Sequence, residues 1–240
     1  MRIGIVGTSG YLGNIAKSVF EAGGHHVTEV PKSFIEPSVL GFDYFDFVLD
    51  CGFPKRYKNK STRTLYFRSL GYRLGETKKW KIPYIYLGSF SSSSQVLSNY
   101  GEMKLAAENL VLAHAGIILR LGLIVNHVNP GGRFRELLRI ANKFPFRPVL
   151  PSNWCPILIS SEDDFRKELV FVSENLAGIP LEVVCKTTET NLSELLARYA
   201  EPKIQLHLND FLATQLMKFV KLLPVKYLDN LKSIAFKKGG

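Results

Sequence analysis

The stretch Gly4-Ile-Val-Gly-Thr-Ser-Gly-Tyr-Leu-Gly13 follows an apolar run and opens an amphipathic segment that ends near Gly23. This pattern predicts a β-strand, a tight turn and the amino terminus of a helix. Gly7, Gly10 and Gly13 are spaced G-x-x-G-x-x-G. In such loops the glycines permit the turn, the close approach of a pyrophosphate and the packing of helix on strand. Backbone N–H groups and the positive end of the helix dipole would then hold a diphosphate.

A second feature is the run Asn99-Tyr-Gly-Glu-Met-Lys104, which places Tyr100 and Lys104 one helical turn apart. Residues at i and i+4 share one helix face. A phenol titrates near ~10 and is a poor acid–base group at neutral pH, unless a nearby cation stabilises its anion. Each motif is weak alone, because glycine turns and packed tyrosines beside solvated lysines are common. Their combination in this order predicts redox chemistry on a nucleotide cofactor.

Strand-like and helical segments alternate along the chain, which indicates an α/β fold with a Rossmann-like, doubly wound parallel sheet. Strands are predicted near 2–7, 26–30, 45–51, 83–89, 116–121 and 181–185, and helices near 11–22, 59–79 and 98–114. The segment 30–44 is too short and too rich in Pro and Gly for a full helix, so one crossover is shortened. We expect a single dinucleotide-binding domain over 1–240, with 123–240 contributing a small substrate or lid region and terminal helices.

The two motifs resemble those of the short-chain dehydrogenase/reductase superfamily. Gly7-Thr-Ser-Gly-Tyr-Leu-Gly13 is similar to its cofactor loop, and Tyr100-Gly-Glu-Met-Lys104 to its Tyr-x-x-x-Lys motif. Leu105-Ala-Ala-Glu108 and Ile117-Ile-Leu-Arg-Leu-Gly122 continue as in many extended members. The resemblance is to the extended and atypical NAD(P)-dependent epimerase/dehydratase-like members that act on nucleotide sugars, and it covers roughly residues 1 to 125 well and the rest loosely.

This resemblance implies a catalytic set of Ser89, Tyr100 and Lys104. Ser89 ends the predicted strand that starts at Pro83, and would polarise the substrate oxygen. A run of serines follows Ser89, and Ser91 is the alternative candidate for the same role. The plain interpretation of that run is a solvated loop. Tyr100 would exchange the proton of the substrate oxygen, while Lys104 would lower the pKa of Tyr100 and bind the nicotinamide ribose.

The resemblance also implies where the cofactor binds. The expected contacts are Gly7, Ser9, Gly10, Tyr11, Leu12 and Gly13 in the first loop, Lys32 and Ser33 after the second strand, Cys51 and Gly52 after the third, and Lys104. A basic residue after the second strand favours the phosphorylated cofactor, so the prediction leans to NADP with NAD as the alternative. A solvated loop lysine is an equally good interpretation of Lys32.

The charge and the cysteine content of the chain limit the kinds of binding partner and site to expect. The chain has 240 residues and a net charge of +10, but its basic residues are dispersed and no nucleic-acid-binding motif accompanies them. We therefore expect no nucleic-acid partner, since a positive field equally attracts NADP and a nucleotide-sugar diphosphate. Cys51, Cys155 and Cys185 are widely separated and predict neither a metal site nor a disulfide framework.

Because a strand begins directly after Met1, we expect no signal sequence and a cytoplasmic protein. The basic, apolar segment 216–236 could lie on the inner face of a membrane, although terminal helices packed on the domain explain it better. A homodimer through the helices at 59–79 and 98–114 is the family's usual assembly, without independent support here.

The implied function is hydride transfer at a hydroxyl or keto carbon, by an oxidoreductase, epimerase or dehydratase of nucleotide sugars, as in polysaccharide biosynthesis. Arg133 lies in a segment where extended members build the substrate pocket and could reach a diphosphate, as could Arg135 and Arg139, for which a solvated helix face is the better interpretation. The alternative is a non-catalytic NADP-binding regulatory or scaffold protein of the same fold. Departures from the family pattern at Gly88, Met103 and Asn126 keep that alternative open.

Overall fold

The computed structural model describes residues 1–32, 41–93, 98–143, 146–149, 156–201 and 204–207. The strands are β1 (Arg2–Val6), β2 (His26–Val30), β3 (Phe47–Asp50), β4 (Tyr84–Ser89), β5 (Ile117–Leu121), β6 (Leu123–Val125), β7 (Phe146–Val149), β8 (Pro156–Ser161), β9 (Glu182–Val184), β10 (Thr188–Asn191) and β11 (Ile204–His207). The helices are α1 (Tyr11–Ala22), α2 (Lys60–Lys79), α3 (Asn99–Ala113), α4 (Gly132–Ala141), α5 (Glu162–Glu174) and α6 (Leu192–Tyr199).

The main sheet has the order β2-β1-β3-β4-β5-β9, and its described pairings are parallel. Helices cover both of its faces, which confirms the predicted Rossmann-like, doubly wound sheet. The strand order reverses between β1 and β3. In open sheets of this kind ligands bind outside the carboxyl ends of the strands at such a reversal. The loops after β1 and β3 therefore border the expected binding crevice.

The apolar strands are buried on both faces, because side chains alternate along a strand. Ile3 and Ile5 of β1 join a core with α1 and α5, whereas Val6 joins a second core with α2 and α3. Asn59 caps α2, since its side chain accepts hydrogen bonds from the N–H groups of Ser61 and Thr62. The predicted strands of this sheet and the helices α1, α2 and α3 are confirmed to within two residues at each end.

The carboxyl-terminal part builds a third core on a separate small sheet of order β10-β8-β6. Helices α4 and α6 pack there through residues such as Phe134 and Leu195. Arg135 and Arg139 lie on α4, in agreement with the helix face interpreted from the sequence, whereas this sheet was not predicted. Its strands are short, and β10 pairs with β8 antiparallel while β6 pairs with it in parallel. Strands β7 and β11 form a further parallel pair.

Some sequence predictions lie outside the described residues. These include Ser33, Cys155 and the basic segment 216–236. A 3₁₀ turn at Phe42–Tyr44 precedes β3 on the crossover predicted to be short. In the described part of the chain, no helix combines the length and apolar character needed to cross a bilayer. Within the same ranges no three His, Cys, Asp or Glu side chains gather into a group that could hold a metal ion.

A buried ion pair holds the crevice end of the sheet. Arg73 of α2 is 1% exposed, and its Nη2 donates to Asp50 Oδ2 at 2.9 Å. Asp50, the last residue of β3, also accepts from the Gly52 N–H at 2.7 Å and from the Tyr84 hydroxyl. Arg73 Nη1 donates to the Lys32 carbonyl oxygen at 3.1 Å. One guanidinium thereby fixes the main chain that follows both β2 and β3.

Replacing Asp50 by Asn should lower the free energy of unfolding by about 3 kcal/mol, because it leaves the Arg73 charge buried without a counter-ion. Urea denaturation followed by circular dichroism measures the change. Lys17→Met is the matched control, since the Lys17–Glu21 ion pair lies on the exposed surface of α1. It should change stability by less than about 0.5 kcal/mol. Equal small effects for the two variants would contradict a structural role for the buried pair.

Candidate active site

The glycine loop after β1 forms a cradle made of backbone. Gly7 has a φ of +85°, and a Cβ atom at that position would lie 3.0 Å from the Cα of Gly52 in the loop after β3. A Cβ atom on Gly13 would lie 2.2 Å from the Gly7 carbonyl oxygen. Side chains at Gly7 and Gly13 would therefore meet backbone, and their absence brings α1 and the two loops together.

The start of α1 is suited to an anion. Gly10 is the N-cap, with an extended backbone and no side-chain cap. The N–H groups of the first turn are among those a helix leaves without an internal partner, and the dipole is positive there. Tyr11 and Leu12 anchor this turn: Leu12 packs against the first core, and the Tyr11 hydroxyl donates to Glu162 Oε2 at 2.6 Å. The cradle therefore fits the diphosphate of a dinucleotide.

Lys32 lies over this cradle. Its Nζ donates to the Ser9 hydroxyl at 3.4 Å, so a cation after β2 faces the glycine loop. Cys51 follows β3 directly, and its N–H donates to the Val6 carbonyl oxygen at 3.0 Å. Burial raises the pKa of the Cys51 thiol well above its usual range, and the Asp50 charge raises it further. Cys51 is therefore a neutral thiol, and it packs against the first core.

The three predicted catalytic residues come together at the carboxyl edge of the sheet. Ser89 ends β4, and Ser98 caps α3 by accepting from the Gly101 N–H at 3.1 Å, which starts the helix so that Tyr100 and Lys104 face Ser89. Lys104 Nζ donates to the Leu87 carbonyl oxygen at 2.6 Å. Its ammonium also lies 4.4 Å from the ring centroid of Tyr86. This hydrogen bond ties the lysine to the strand that carries the serine.

The surroundings of the Tyr100 phenol stabilise its anion. Burial raises the pKa of Tyr100, but the positive charges of Arg133 and Lys104, together with a hydrogen bond from the Ser89 side chain, lower it by more. The Glu108 charge opposes them. The pKa of Tyr100 therefore lies below the usual value for tyrosine. A phenol with such a pKa is a better proton acceptor near neutral pH.

A buried network that the sequence analysis missed holds Ser89 in place. Glu108 is 2% exposed, and its Oε1 accepts from the Ser89 N–H at 3.0 Å. Its Oε2 lies 2.9 Å from Arg120 Nη1 and 2.7 Å from the Ser92 hydroxyl. Arg120 also donates to Glu182 Oε1 at 2.7 Å. Glu108 and Arg120 both lie in segments that resemble the family, which was the available signal.

Arg133 and Phe53 cover the ring of Tyr100. Arg133 Cζ lies 3.3 Å from the ring centroid, and the Phe53 ring centroid lies 4.7 Å away in an edge-on arrangement. Tyr100 is consequently only 7% exposed. The sequence placed Arg133 near a substrate diphosphate, whereas the structure places it on the proposed acid–base residue. Arg135 and Arg139 are exposed on α4.

No family model matches the chain, and none of the curated proteins matches it in sequence. Solved structures are similar in fold. TunA, an NAD-dependent NDP-hexosamine 5,6-dehydratase involved in tunicamycin biosynthesis, is 15% identical with a TM-score of 0.60, over 90% of this chain and 91% of that chain. A dTDP-4-dehydrorhamnose reductase from Clostridium acetobutylicum is 13% identical with a TM-score of 0.61, over 93% and 99%.

A third similar structure is the UDP-glucose 4-epimerase from Thermotoga maritima, solved with UDP-glucose. It is 12% identical with a TM-score of 0.60, over 88% of this chain and 87% of that chain. At such low identity the similarity shows the fold and not the activity. The chain therefore has the Rossmann-type fold of an NAD-dependent dehydratase, a reductase and an epimerase, which supports, at the level of the fold, the resemblance to the extended short-chain dehydrogenases/reductases.

Proposed function

We propose that this chain is an NAD(P)-dependent enzyme of the short-chain dehydrogenase/reductase type, acting on a hydroxyl or keto carbon of a nucleotide sugar. The observation that carries the proposal is the convergence of Ser89, Tyr100 and Lys104 beside the glycine cradle. Neighbours described as acting on NDP-hexosamine, on dTDP-4-dehydrorhamnose and on UDP-glucose support the substrate class.

Each residue has a distinct task in the proposed reaction. The nicotinamide, when bound, supplies or accepts the hydride. Tyr100 gives a proton to the substrate oxygen during reduction and takes it during oxidation. Ser89 donates a hydrogen bond to the same oxygen and stabilises the charge that develops there. Lys104 donates one hydrogen bond to the Leu87 carbonyl oxygen, and its ammonium would also donate to the ribose hydroxyls of the bound cofactor.

The type of reaction depends on whether the hydride returns to the substrate within one catalytic cycle. A reductase or a dehydrogenase exchanges its cofactor after each turnover, whereas an epimerase or a dehydratase returns the hydride within one cycle. Ser89, Tyr100 and Lys104 serve all of these reactions in the same way.

Cytoplasmic location, membrane contact through segment 216–236 and dimer formation stay predictions.

The second candidate is a non-catalytic NADP-binding protein of the same fold. The observation that favours it is the burial of Tyr100 beneath Arg133 and Phe53. Catalysis requires the substrate oxygen to reach the phenol, whereas dinucleotide binding alone does not. The two functions therefore differ in what removal of the phenolic hydroxyl does.

Tyr100→Phe should lower kcat by at least about 100-fold, because it removes the group that exchanges the proton. NADPH affinity should stay nearly unchanged. The assay follows nicotinamide fluorescence with a panel of nucleotide sugars and their keto derivatives, and product analysis detects epimerisation or dehydration. Tyr44→Phe is the matched control, since Tyr44 is partly exposed and packs against Arg2. Turnover by Tyr100→Phe at the wild-type rate contradicts the proposed acid–base role, and NADPH binding without any turnover favours the second candidate.

Gly13→Ala should weaken NADPH binding by at least about 10-fold and lower stability by about 1–3 kcal/mol, because the added methyl group meets the Gly7 carbonyl oxygen. Fluorescence titration and urea denaturation measure the two effects. Gly71→Ala is the control, since a Cβ atom there meets nothing within 4 Å. It should stabilise α2 by up to about 1 kcal/mol and leave binding unchanged. Tight NADPH binding by Gly13→Ala would place the dinucleotide elsewhere.

Lys32→Ala should weaken NADPH binding by about 10-fold and leave NADH binding nearly unchanged. The reason is that a 2′-phosphate loses a charge-assisted hydrogen bond, worth about 1.5–3 kcal/mol. Parallel titrations with the two cofactors test this, with the exposed Lys17→Ala as the control for net charge. Equal losses for NADPH and NADH would argue against a phosphate contact at Lys32.

A further inference from the structure

The first turn of α4 holds a cation where a helix disfavours one. Arg133 follows Gly132, the first residue of the helix, and that turn contains no acidic residue. The positive end of the helix dipole makes a cation there unfavourable by some tenths of a kcal/mol. The guanidinium instead lies over the Tyr100 ring, with Cζ 3.3 Å from the centroid. A planar cation on an aromatic face is a favourable contact that offsets this cost.

Two glycines allow α4 to start against the cofactor loop. A Cβ atom on Gly131 would lie 2.0 Å from the ring of Tyr11, and Gly132 has a φ of +51°. The backbone of both residues therefore rests on the Tyr11 ring. This close approach brings the next residue, Arg133, over Tyr100, so one short segment contacts both the glycine loop and the proposed acid–base residue.

Hydrogen bonds hold the segment that leads into α4. The Asn126 side chain accepts from the N–H groups of Val128 at 2.9 Å and Asn129 at 3.0 Å, and its Nδ2 donates to Glu162 Oε2 at 2.7 Å. The same carboxylate oxygen accepts from the Tyr11 hydroxyl. Asn126, which departs from the family pattern, thus shares one carboxylate with the glycine loop. The position of Arg133 is tied to that loop from both sides.

We propose that Arg133 is a positioning residue that acts through Tyr100: stacked on the ring, its guanidinium adds a second positive charge to that of Lys104 and stabilises the phenolate. This inference rests on the proposed function for its role in catalysis. Its physical content concerns the phenol alone and does not require a cofactor or a substrate.

The groups around Tyr100 make Arg133 the largest attractive contribution to the phenolate. Burial raises the pKa of Tyr100, and Arg133 lowers it more than Lys104 or the Ser89 hydrogen bond does. Among the residues that the structure describes, the other groups that face the ring or the phenol are Glu108 of the same helix, Tyr66 of α2, Tyr86 of β4, and Phe53 and Tyr57 of the loop after β3. Glu108 opposes ionisation, whereas burial raises the pKa of Tyr66 and Tyr86, so both phenols stay neutral and add no charge.

The sign of the effect on pH dependence is direct. The base form of Tyr100 forms as pH rises through its pKa, so a lower pKa makes this form available at lower pH. Removing the Arg133 charge should raise the pKa by about one unit or more, the usual effect of an opposite charge in contact. The rising limb of the pH profile for substrate oxidation should move to higher pH by the same amount.

The test is a spectrophotometric titration of tyrosinate absorbance in the cofactor-free full chain. Subtracting the curve of Tyr100→Phe from that of the wild type isolates the titration of Tyr100. The same subtraction is made for Arg133→Met, with the double variant that also carries Tyr100→Phe as its reference. We expect the midpoint of the Tyr100 titration in Arg133→Met to lie about one pH unit or more above the wild-type midpoint. Arg133→Lys, which keeps the charge, should restore most of the wild-type value.

Two further variants separate position from net charge. Arg135→Met removes a charge from an exposed site on the same helix and should leave the midpoint nearly unchanged. Gly131→Ala keeps every charge but pushes the segment away from Tyr11, so it should raise the midpoint as Arg133→Met does. Each of these two variants is read against its own double variant with Tyr100→Phe. Circular dichroism shows which variants fold. If Arg133→Met does not fold, the midpoints of Gly131→Ala and Arg133→Lys test the proposal.

Equal midpoints for wild type, Arg133→Met and Gly131→Ala would overturn the proposal, as would a shift that Arg135→Met reproduces. The titration and the enzymatic function fail separately. A shifted midpoint in a protein that turns over no nucleotide sugar supports Arg133 and contradicts the proposed function. If the enzyme turns over a nucleotide sugar, but neither its pH profile nor the Tyr100 midpoint changes when Arg133 is replaced, the proposed function is supported and the role of Arg133 is contradicted.

Discussion

The crevice depends on the buried ion pair between Asp50 and Arg73. Parallel strands bring their carboxyl ends to one edge, but the loops that leave them are free to diverge unless something ties them. Arg73 binds the carboxylate at the end of β3 and the Lys32 carbonyl oxygen after β2, while Asp50 holds the Gly52 N–H. Because Gly52 touches the Gly7 position, this pair sets the width of the cradle. A buried charge pair is costly to desolvate, and here it fixes geometry.

Part of the net positive charge of the chain is concentrated at this edge of the sheet. Lys32, Lys104 and Arg133 lie at three places along the crevice: over the glycine loop, behind the serine strand and on the tyrosine ring. A dinucleotide and a nucleotide-sugar diphosphate are both anions, so the field favours both proposed ligands. Arg133 and Lys104 both favour ionisation of Tyr100. Binding and proton transfer thus draw on one distribution of charge.

The sequence predicted what local pattern and chain order determine. Apolar runs between turns located the six main strands, and the spacing of Tyr100 and Lys104 put them on one helix face towards Ser89. It did not predict contacts between distant segments, such as Tyr11 with Glu162, because no local pattern encodes which helix packs on which loop. Arg133 was noticed as a cation but assigned to a substrate, since its position over Tyr100 depends on where α4 starts. The small second sheet was not predicted because β6 and β10 have only three and four residues and its strands lack a clear period.

The most direct measurement is a crystal structure of the full chain with NADP⁺. We expect the diphosphate on the backbone of Gly7–Gly13, the ribose hydroxyls of the nicotinamide within hydrogen-bond distance of Lys104 Nζ, and the nicotinamide ring beside the Tyr100 hydroxyl. A dinucleotide bound elsewhere would contradict it. So would one bound in the cradle with its nicotinamide out of reach of the Tyr100 hydroxyl.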